Sequence, residues 1–186
     1  MAAEFTVRPA KRADLDAVAA LYDALCMHLE STFNYPGWKL GIYPTHETAA
    51  CAFSNGELYV CTDGQDILGT CILNGEQPAG YEAVPWRAGT SPEEILVVHT
   101  LATHPAHLRK GVSGMLLQFT EQYARDHGKC SIRLDVFERN IPGVQLYERH
   151  GYQVAGKTDL HLIEDDPQIS RCYEKIIKKE KQYADQ

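Results

Sequence analysis

The segment that most constrains the fold is the glycine-containing run at residues 108–114, which lies between an apolar, strand-like segment and a helix-like segment. Two cations come directly before Gly111, and Ser113 and Gly114 follow it. Glycine lets the backbone approach a ligand closely, and several amide N–H groups converge at a helix N-terminus. Such an arrangement binds phosphate groups. The run therefore predicts a phosphate-binding turn between a strand and a helix.

The length and composition are those of an ordinary globular protein. The chain has 186 residues, of which 44% are apolar and 23% charged, enough to bury a core. We expect a single domain over residues 1–177 and a charged, frayed tail over residues 178–186. The net charge of −7 disfavours a nucleic-acid partner. Because this net negative charge repels anions, an anionic cofactor would have to be bound by local groups of the protein.

The cysteines and the apolar segments indicate the cellular compartment of the protein. No cysteine spacing matches a metal site or a CxxC redox pair, so we interpret the cysteines as small, reduced core residues. The N-terminus has no signal-peptide pattern, and no apolar run approaches the length of a membrane span. A cytoplasmic protein without a membrane partner is the expectation. The cysteines are Cys26, Cys51, Cys61, Cys71, Cys130 and Cys172.

The part of the chain before the glycine run is predicted to contain two helices and a hairpin. Apolar residues recur at helical spacing from Leu15 to Leu29, with Asp14 as the N-cap. The other predicted elements are a short strand over 5–8, a helix from Thr45 to Asn55-Gly56, a hairpin of strands 58–62 and 67–73, and a polar loop over 74–92.

The second half alternates strands and helices. Residues 95–102 are almost continuously apolar, as in a central strand buried on both faces. The remaining predicted elements are a helix that ends at Gly128, a strand over 132–137, a short helix between Asn140 and Gly151, and closing strands over 154–156, 160–163 and 172–177.

Two sequence motifs lie in this second half of the chain, one after the other. The first is the strand end at residues 101–105 followed by Leu108-x-x-Gly111-x-Ser113, and the second runs from Asn140 through Leu146-Tyr147 to Gly151-Tyr152. Together they resemble the motifs of the GNAT family of N-acetyltransferases, R/Q-x-x-G-x-G/A and N-x-x-A-x-x-L-Y-x-x-x-G-F/Y. The resemblance spans nearly the whole chain and is specific over residues 98–152. It implies an α/β fold with a mixed, splayed central sheet flanked by helices.

The chain departs from the family pattern at three positions. Leu108 stands where the family has Arg or Gln, Ser113 replaces the second Gly or Ala, and Gly143 replaces Ala. A register that begins at Arg109 would bring Gly114 into the motif but would lose Gly111.

The resemblance implies acetyl-CoA as cofactor and direct acetyl transfer to a primary amine in a ternary complex. Tyr147 would protonate the departing sulfur, because a phenol keeps its proton at neutral pH. A core aromatic is the competing interpretation of Tyr147, and Asn140 is equally interpreted as a helix cap. The implied cofactor-binding residues are Leu101, Ala102, Thr103, Arg109, Lys110, Gly111, Val112, Ser113, Gly114, Asn140, Val144 and Tyr147.

The general base is less defined by the sequence. His99 lies two residues before Leu101, so strand alternation puts both side chains on one face. Glu82, Glu93, Glu94 or a water chain are the alternatives to His99. A metal site at histidines 99, 104 and 107 is rejected, because their spacing crosses a strand end and no carboxylate completes the ligand set.

Five aromatic residues lie in the segments that the resemblance places around the acceptor: Tyr35, Trp38, Tyr43, Tyr81 and Trp86. They would line a pocket for a small amine or amino-acid-like acceptor, which is favoured over a protein acceptor, or they pin long loops to the core. The acidity of the chain favours a cationic acceptor. A non-catalytic acyl-CoA sensor is the alternative function, and a homodimer through the C-terminal strands is left open. A nucleotide site is disfavoured because no P-loop motif is present.

Overall fold

A central β-sheet organises the computed structural model, which describes residues 5–89, 91–160 and 169–178. The described strands form one sheet in the order β1-β2-β3-β4-β5-β7-β6. Their bounds are β1 Thr6–Pro9, β2 Leu58–Thr62, β3 Ile67–Asn74, β4 Ile95–Thr103, β5 Ser131–Phe137, β6 Gln153–Asp159 and β7 Ile169–Ile176.

The sheet opens between β4 and β5, which form its parallel pair. Their backbone pairing runs from Ile95↔Ser131 to Val97↔Arg133 and ends there. Each strand continues for several residues beyond this point. The mixed, splayed sheet expected from the sequence is confirmed. Because the two strands separate, a gap lies between β4 and β5.

Helices cover both faces of the sheet. Leu58 and Val60 of β2 pack with α1 and α2, whereas Tyr59 and Cys61 pack with α3 and α4. Because neighbouring residues of a strand point to opposite faces, the two helix pairs lie on opposite sides. The polar loop after β3 covers the α1/α2 side next to Ile95. The helix bounds are α1 Leu15–Ser31, α2 His46–Ser54, α3 Val112–Asp126 and α4 Ile141–Arg149.

Local signals fixed most helix ends as expected. The Thr45 side chain accepts from Thr48 N and caps α2, while Gly128 and Gly151 follow α3 and α4 with φ of +67° and +78°. The prediction that the Asp14 side chain caps α1 was wrong. Asp14 precedes α1 but makes no capping bond to it, because its carboxylate accepts from Arg8 and from Lys11 N instead.

The closing strands and the cysteines differ in part from the sequence-based expectation. The strands β6 and β7 exist but are longer than predicted, and Leu160 lies outside them. Residues 161–163 of the predicted middle strand, and 179–186 of the predicted tail, lie outside the described residues. All six cysteines carry free thiols, as expected, but two are not core residues, because Cys51 is exposed and Cys130 is only half-buried.

Candidate active site

The gap between β4 and β5 leaves one edge of each strand without a partner strand. On its other side β4 pairs with β3, from Asn74↔Val97 to Gly69↔Thr103. The edge that faces the gap is unpaired beyond Val97. The N–H and C=O groups of the predicted segment Leu101–Thr103 can therefore hydrogen-bond an extended ligand, as an added strand would.

A bulge distorts β4 in the middle of this edge. The β3–β4 register shifts between Thr70 and Ile72, and Thr100 has a left-handed φ of +48°. That conformation is strained for a β-branched residue, and such strain concentrates at functional sites. The Thr100 hydroxyl lies 2.6 Å from the Tyr43 hydroxyl. The bulge therefore joins β4 to the segment between α1 and α2 at the mouth of the gap.

The N-terminus of α3 offers a cradle of backbone amides. Gly111 is its N-cap, has a φ of +88° and supplies no side-chain capping bond. The first backbone bond within the helix joins Met115 N to Gly111 O at 3.0 Å, so the preceding amides of Val112, Ser113 and Gly114 lack helical partners. Together with the helix dipole, these amides suit a phosphate.

The cations before this cradle are solvent-exposed. Arg109 has a left-handed φ of +61°, and both Arg109 and Lys110 lie on the surface next to Gly111. Leu108 is exposed as well. The predicted turn between a strand and a helix is thus present, its backbone donors lack helical partners, and the two cations after Leu108 lie beside it. These residues fit a pyrophosphate group.

Asn140 acts as the cap of α4. Its Oδ1 accepts from Gly143 N at 3.0 Å, which confirms the capping interpretation. A Cβ added at Gly143 would lie 3.0 Å from Val136 Cγ2 and 3.1 Å from the Asn140 side chain. The close approach of Val136 and Asn140 explains the glycine where the family pattern has Ala. Val144, one residue on, is buried against the core.

Tyr147 extends from α4 into the core on the α3/α4 side of the sheet. Its ring packs against those of Tyr152 and Tyr173, with centroids 5.9 and 6.0 Å away. Burial raises the pKa of Tyr147, and the nearby Asp135 carboxylate adds to the rise. Tyr147 therefore keeps its hydroxyl proton well above neutral pH, and its Oη forms no hydrogen bond within the described part of the chain.

His99 occupies β4 on the side of the sheet opposite Tyr147. The expectation that His99 and Leu101 share one face is wrong, because the bulge at Thr100 breaks the alternation and Leu101 packs against the core that contains Tyr147. The hydrogen-bond partners of the His99 ring set its tautomer. Its Nε2 lies 2.9 Å from Asn74 Oδ1 and 3.2 Å from the Glu76 carbonyl oxygen. Because a carbonyl only accepts, Nε2 carries the proton and Nδ1 is the free base. Burial lowers the pKa of His99, which keeps the ring neutral near pH 7.

The alternative bases bind local groups. The Glu82 carboxylate accepts from Gly80 N at 2.8 Å, and the Glu93 carboxylate binds the Ser91 hydroxyl. Neither these two carboxylates nor Glu94 contacts His99 among the described residues.

Sequence reasoning missed Asp135, a half-buried carboxylate on β5. Its Oδ1 accepts a hydrogen bond from the Tyr81 hydroxyl at 2.9 Å. Burial of the carboxyl group raises the pKa of Asp135. The available signal was a charged side chain in the alternating strand 132–137, on the face that also carries Arg133. Asp135 shifts the pKa values of several surrounding groups: Tyr43, Tyr81, His99, Tyr147 and Cys172.

The structure brings two of the five predicted acceptor aromatics to this cluster. Tyr43 reaches Thr100, and Tyr81 reaches Asp135 with a ring that is otherwise buried. Trp86 packs against Tyr81 at a centroid distance of 4.9 Å. Its Nε1 donates to Tyr81 O at 2.8 Å, so Trp86 holds the loop together.

The other two aromatics lie further along the segment between α1 and α2. Trp38 packs against the core beside α1 and meets the Tyr43 ring edge-on at 6.0 Å. The Tyr35 ring packs on Phe33 at 4.6 Å. No described contact joins either ring to His99 or Asp135.

A buried ion pair fixes the loop that carries Tyr81. Glu174 lies 3.7 Å from Arg133 Nε and accepts from Ser131 Oγ and Arg87 N. The Arg133 guanidinium also donates to Ala88 O and stacks on the Trp86 ring at 4.4 Å. Tyr81 is therefore held on a rigid support over β5.

The described residues contain neither a membrane-spanning helix nor a metal-binding cluster. Within those residues, no helix is long and apolar enough to cross a membrane. Over the same ranges, no group of three or more His, Cys, Asp or Glu side chains is placed to bind a metal.

Comparison with known proteins agrees with this geometry. The model of the acetyltransferase (GNAT) family matches residues 23–152. A streptothricin acetyltransferase of Escherichia coli is 33% identical over 106 residues, which cover 57% of this chain and 52% of that protein. The chain thus spans about half the length of this curated relative.

Solved structures show the same fold. A GNAT-family acetyltransferase from Streptococcus agalactiae has a TM-score of 0.77 at 20% identity, covering 94% of this chain and 96% of that one. A Salmonella typhimurium protein described with its cofactor acetyl-CoA has a TM-score of 0.70 at 16% identity, covering 95% of each chain.

Proposed function

Because the chain belongs to the GNAT family of acetyltransferases, we propose that it transfers an acetyl group from acetyl-CoA to a small, cationic primary amine. The observation that carries the proposal is the gap between β4 and β5. An uncapped helix N-terminus lies on one side of this gap, and a proton acceptor lies on the other. The single-domain boundary at residue 177, the cytoplasmic location and the homodimer stay predictions.

Acetyl-CoA supplies the activated acetyl group as a thioester. The free amides of residues 112–114 hold its pyrophosphate, with Arg109 and Lys110 adding charge. The unpaired edge of Leu101–Thr103 binds the pantetheine arm and polarises the thioester carbonyl. Val144 and the Nδ2 group of Asn140 line the arm from the α4 side.

Two side chains divide the proton transfers. Tyr147 keeps its proton because burial raises its pKa, and it donates that proton to the departing sulfur. His99 is neutral with Nδ1 unprotonated, so it accepts a proton from the acceptor's ammonium group. The neutral amine would then attack the thioester directly in a ternary complex, and the second proton that its nitrogen loses on acylation would restore the Tyr147 phenol.

A cationic small molecule is the acceptor class that the chain favours. The net charge of −7 attracts cations toward the protein, and the similarity to streptothricin acetyltransferase supports a small amine-bearing antibiotic as a first candidate. Tyr43, which is exposed, brings aromatic surface to this side of the gap, where a ring face also attracts a cation.

The first test of this function is thermal unfolding with and without acetyl-CoA, with ATP as the control ligand. At a hundredfold excess over the Kd, binding adds about 2.7 kcal/mol to the free energy of unfolding. For a chain of this size that raises Tm by roughly 5–10 °C. No rise with acetyl-CoA would contradict cofactor binding and the proposed activity together.

The second test is thiol release from acetyl-CoA with streptothricin and a panel of primary amines. Release that depends on the amine supports the transferase. A Tm rise without release for any amine would instead favour the non-catalytic acyl-CoA sensor.

A further inference from the structure

Asp135 lies on the side of the sheet opposite Tyr147. Its strand neighbours Leu134 and Val136 belong to the core under α3 and α4, which also contains Tyr147. Strand alternation therefore directs Asp135 to the other face, where the Tyr81 loop covers the sheet. The strand has already parted from β4 at this point, since pairing ends at Arg133. The Asp135 carboxylate thus borders the gap from the side that the acetyl donor does not occupy.

The bonding of Asp135 is incomplete for a half-buried anion. One oxygen accepts from the Tyr81 hydroxyl, and within the described residues no other side chain donates to the carboxylate. No lysine or arginine is among the groups that shift its pKa. By contrast, the neighbouring Arg133 is paired with Glu174. A desolvated carboxylate with a single neutral donor is costly to keep, which is typical of functional sites.

The groups around Asp135 are those that the reaction needs. His99 of β4 lies on the same side of the sheet as Asp135 and Tyr147 of α4 on the opposite side, and the Asp135 charge favours the protonated form of both. Tyr43 approaches from the segment between α1 and α2, Tyr81 from the covering loop and Cys172 from β7. Asp135 is the shared neighbour of the base and the acid.

We propose that Asp135 binds the ammonium group of the acceptor and holds the reacting nitrogen between His99 and Tyr147. The Tyr81 hydroxyl orients the carboxylate by occupying Oδ1, which leaves Oδ2 for the substrate. A charge-assisted hydrogen bond to a primary ammonium is stronger than one between neutral groups and excludes neutral acceptors. This inference rests on the proposed function and specifies how the site selects cations.

The test is Asp135→Asn, which keeps the shape and removes the charge. We expect the KM for streptothricin, or for the best primary amine of the panel, to rise at least tenfold. The Tm shift produced by acetyl-CoA stays as in the wild type. Asp23→Asn is the matched control, because it removes one exposed carboxylate on α1 and changes the net charge equally. Its KM for the amine stays within twofold of the wild type.

Stability separates this role from a structural one. Since burial raises the pKa of Asp135, its ionisation disfavours the folded state, and folding stability falls as the pH rises from the unfolded value of about 3.8. Asn imitates the neutral acid, so Asp135→Asn is at least as stable as the wild type at pH 7. A substrate-binding role predicts this stable variant with impaired amine binding.

The outcomes are distinguishable from failure of the proposed function. An unchanged amine KM in folded Asp135→Asn overturns the inference while the transferase stands. Absence of amine-dependent thiol release in the wild type contradicts the transferase itself. If the variant does not fold, the wild-type protein decides the question. An analogue of the amine substrate with a hydroxyl in place of the reacting amino group should then be tested as an inhibitor of the wild-type protein. Its inhibition constant should be at least tenfold higher than the dissociation constant of the amine, and equal constants overturn the inference.

Discussion

The hydroxyls of Thr103 and Ser113 lie 2.8 Å apart and join the last residue of β4 to the first turn of α3. One residue belongs to the edge proposed for the pantetheine arm, and the other to the amides proposed for the pyrophosphate. Ser113 stands where the family pattern has a residue without a hydroxyl. The bond therefore fixes the spacing between the two halves of the proposed acetyl-CoA site in a way that Gly or Ala would not.

Loss of this bond should weaken acetyl-CoA binding moderately. Ser113→Ala removes one hydrogen bond, worth about 1 kcal/mol, so we expect the Kd for acetyl-CoA to rise roughly 3–10-fold. Isothermal titration measures it directly. Gln118→Ala, on the exposed face of the same helix, is the control and leaves the Kd unchanged. Equal affinity of Ser113→Ala and the wild type would show that the backbone alone sets the spacing.

The cradle depends on the left-handed conformation of Gly111. A Cβ would meet no atom within 4 Å, so Gly111→Ala adds backbone strain without a steric clash. The strain costs about 1–2 kcal/mol. Gly128→Ala is a matched control, because Gly128 also has a positive φ and open space but follows the other end of α3. The Tm of both variants should fall by a similar amount, whereas only Gly111→Ala should bind acetyl-CoA more weakly in isothermal titration. Equal affinities would exclude the turn from the cofactor site.

The features that the sequence predicted correctly depend on local backbone chemistry. The Gly111 turn, the Asn140 cap and the start of α2 next to Thr45 each involve residues within a few positions of one another. Helix caps and glycine turns are determined by neighbouring residues, so short sequence patterns are sufficient to identify them.

The acceptor side required tertiary information. Tyr81 and Asp135 are 54 residues apart in sequence, and neither carries a local signal for the other. Asp14 was misassigned because Arg8 competes for its carboxylate. The edge strand β6 was predicted too short, because its exposed residues lack apolar alternation.

Tyr147 and Tyr152 form a matched pair for testing the general acid, because their rings are 5.9 Å apart and both are buried. Tyr147→Phe should lower kcat by about 10²–10⁴-fold and leave the acetyl-CoA Kd unchanged. Tyr152→Phe removes a buried hydroxyl that has no hydrogen-bond partner in the described structure, so kcat should be unchanged and stability equal or higher. Steady-state kinetics and thermal unfolding measure both. Equal turnover in Tyr147→Phe would remove this residue from the chemistry.

Glu174 should be a stability residue of the Tyr81 loop. Glu174→Ala leaves Arg133 buried without its carboxylate, which costs about 3–5 kcal/mol and lowers Tm by roughly 6–20 °C. Glu138→Ala, which breaks an exposed pairing with Lys157 and Arg171, should change Tm little. A similar Tm for both variants would mean that Glu174 does not anchor the loop.

The pH dependence of turnover should report His99. Burial lowers its pKa below the usual value of about 6.5, so the acid limb of kcat/KM lies below that pH. The unfolded chain takes up this proton first, and His99 therefore also makes the folded state less stable as the pH falls below 6.5. His99→Ala should lower kcat by about 10²–10⁴-fold and remove this acid limb, while His46→Ala, at an exposed position, keeps both kcat and the profile. A full acid limb in His99→Ala would show that another group accepts the proton, with Asp135 then the next candidate because burial raises its pKa.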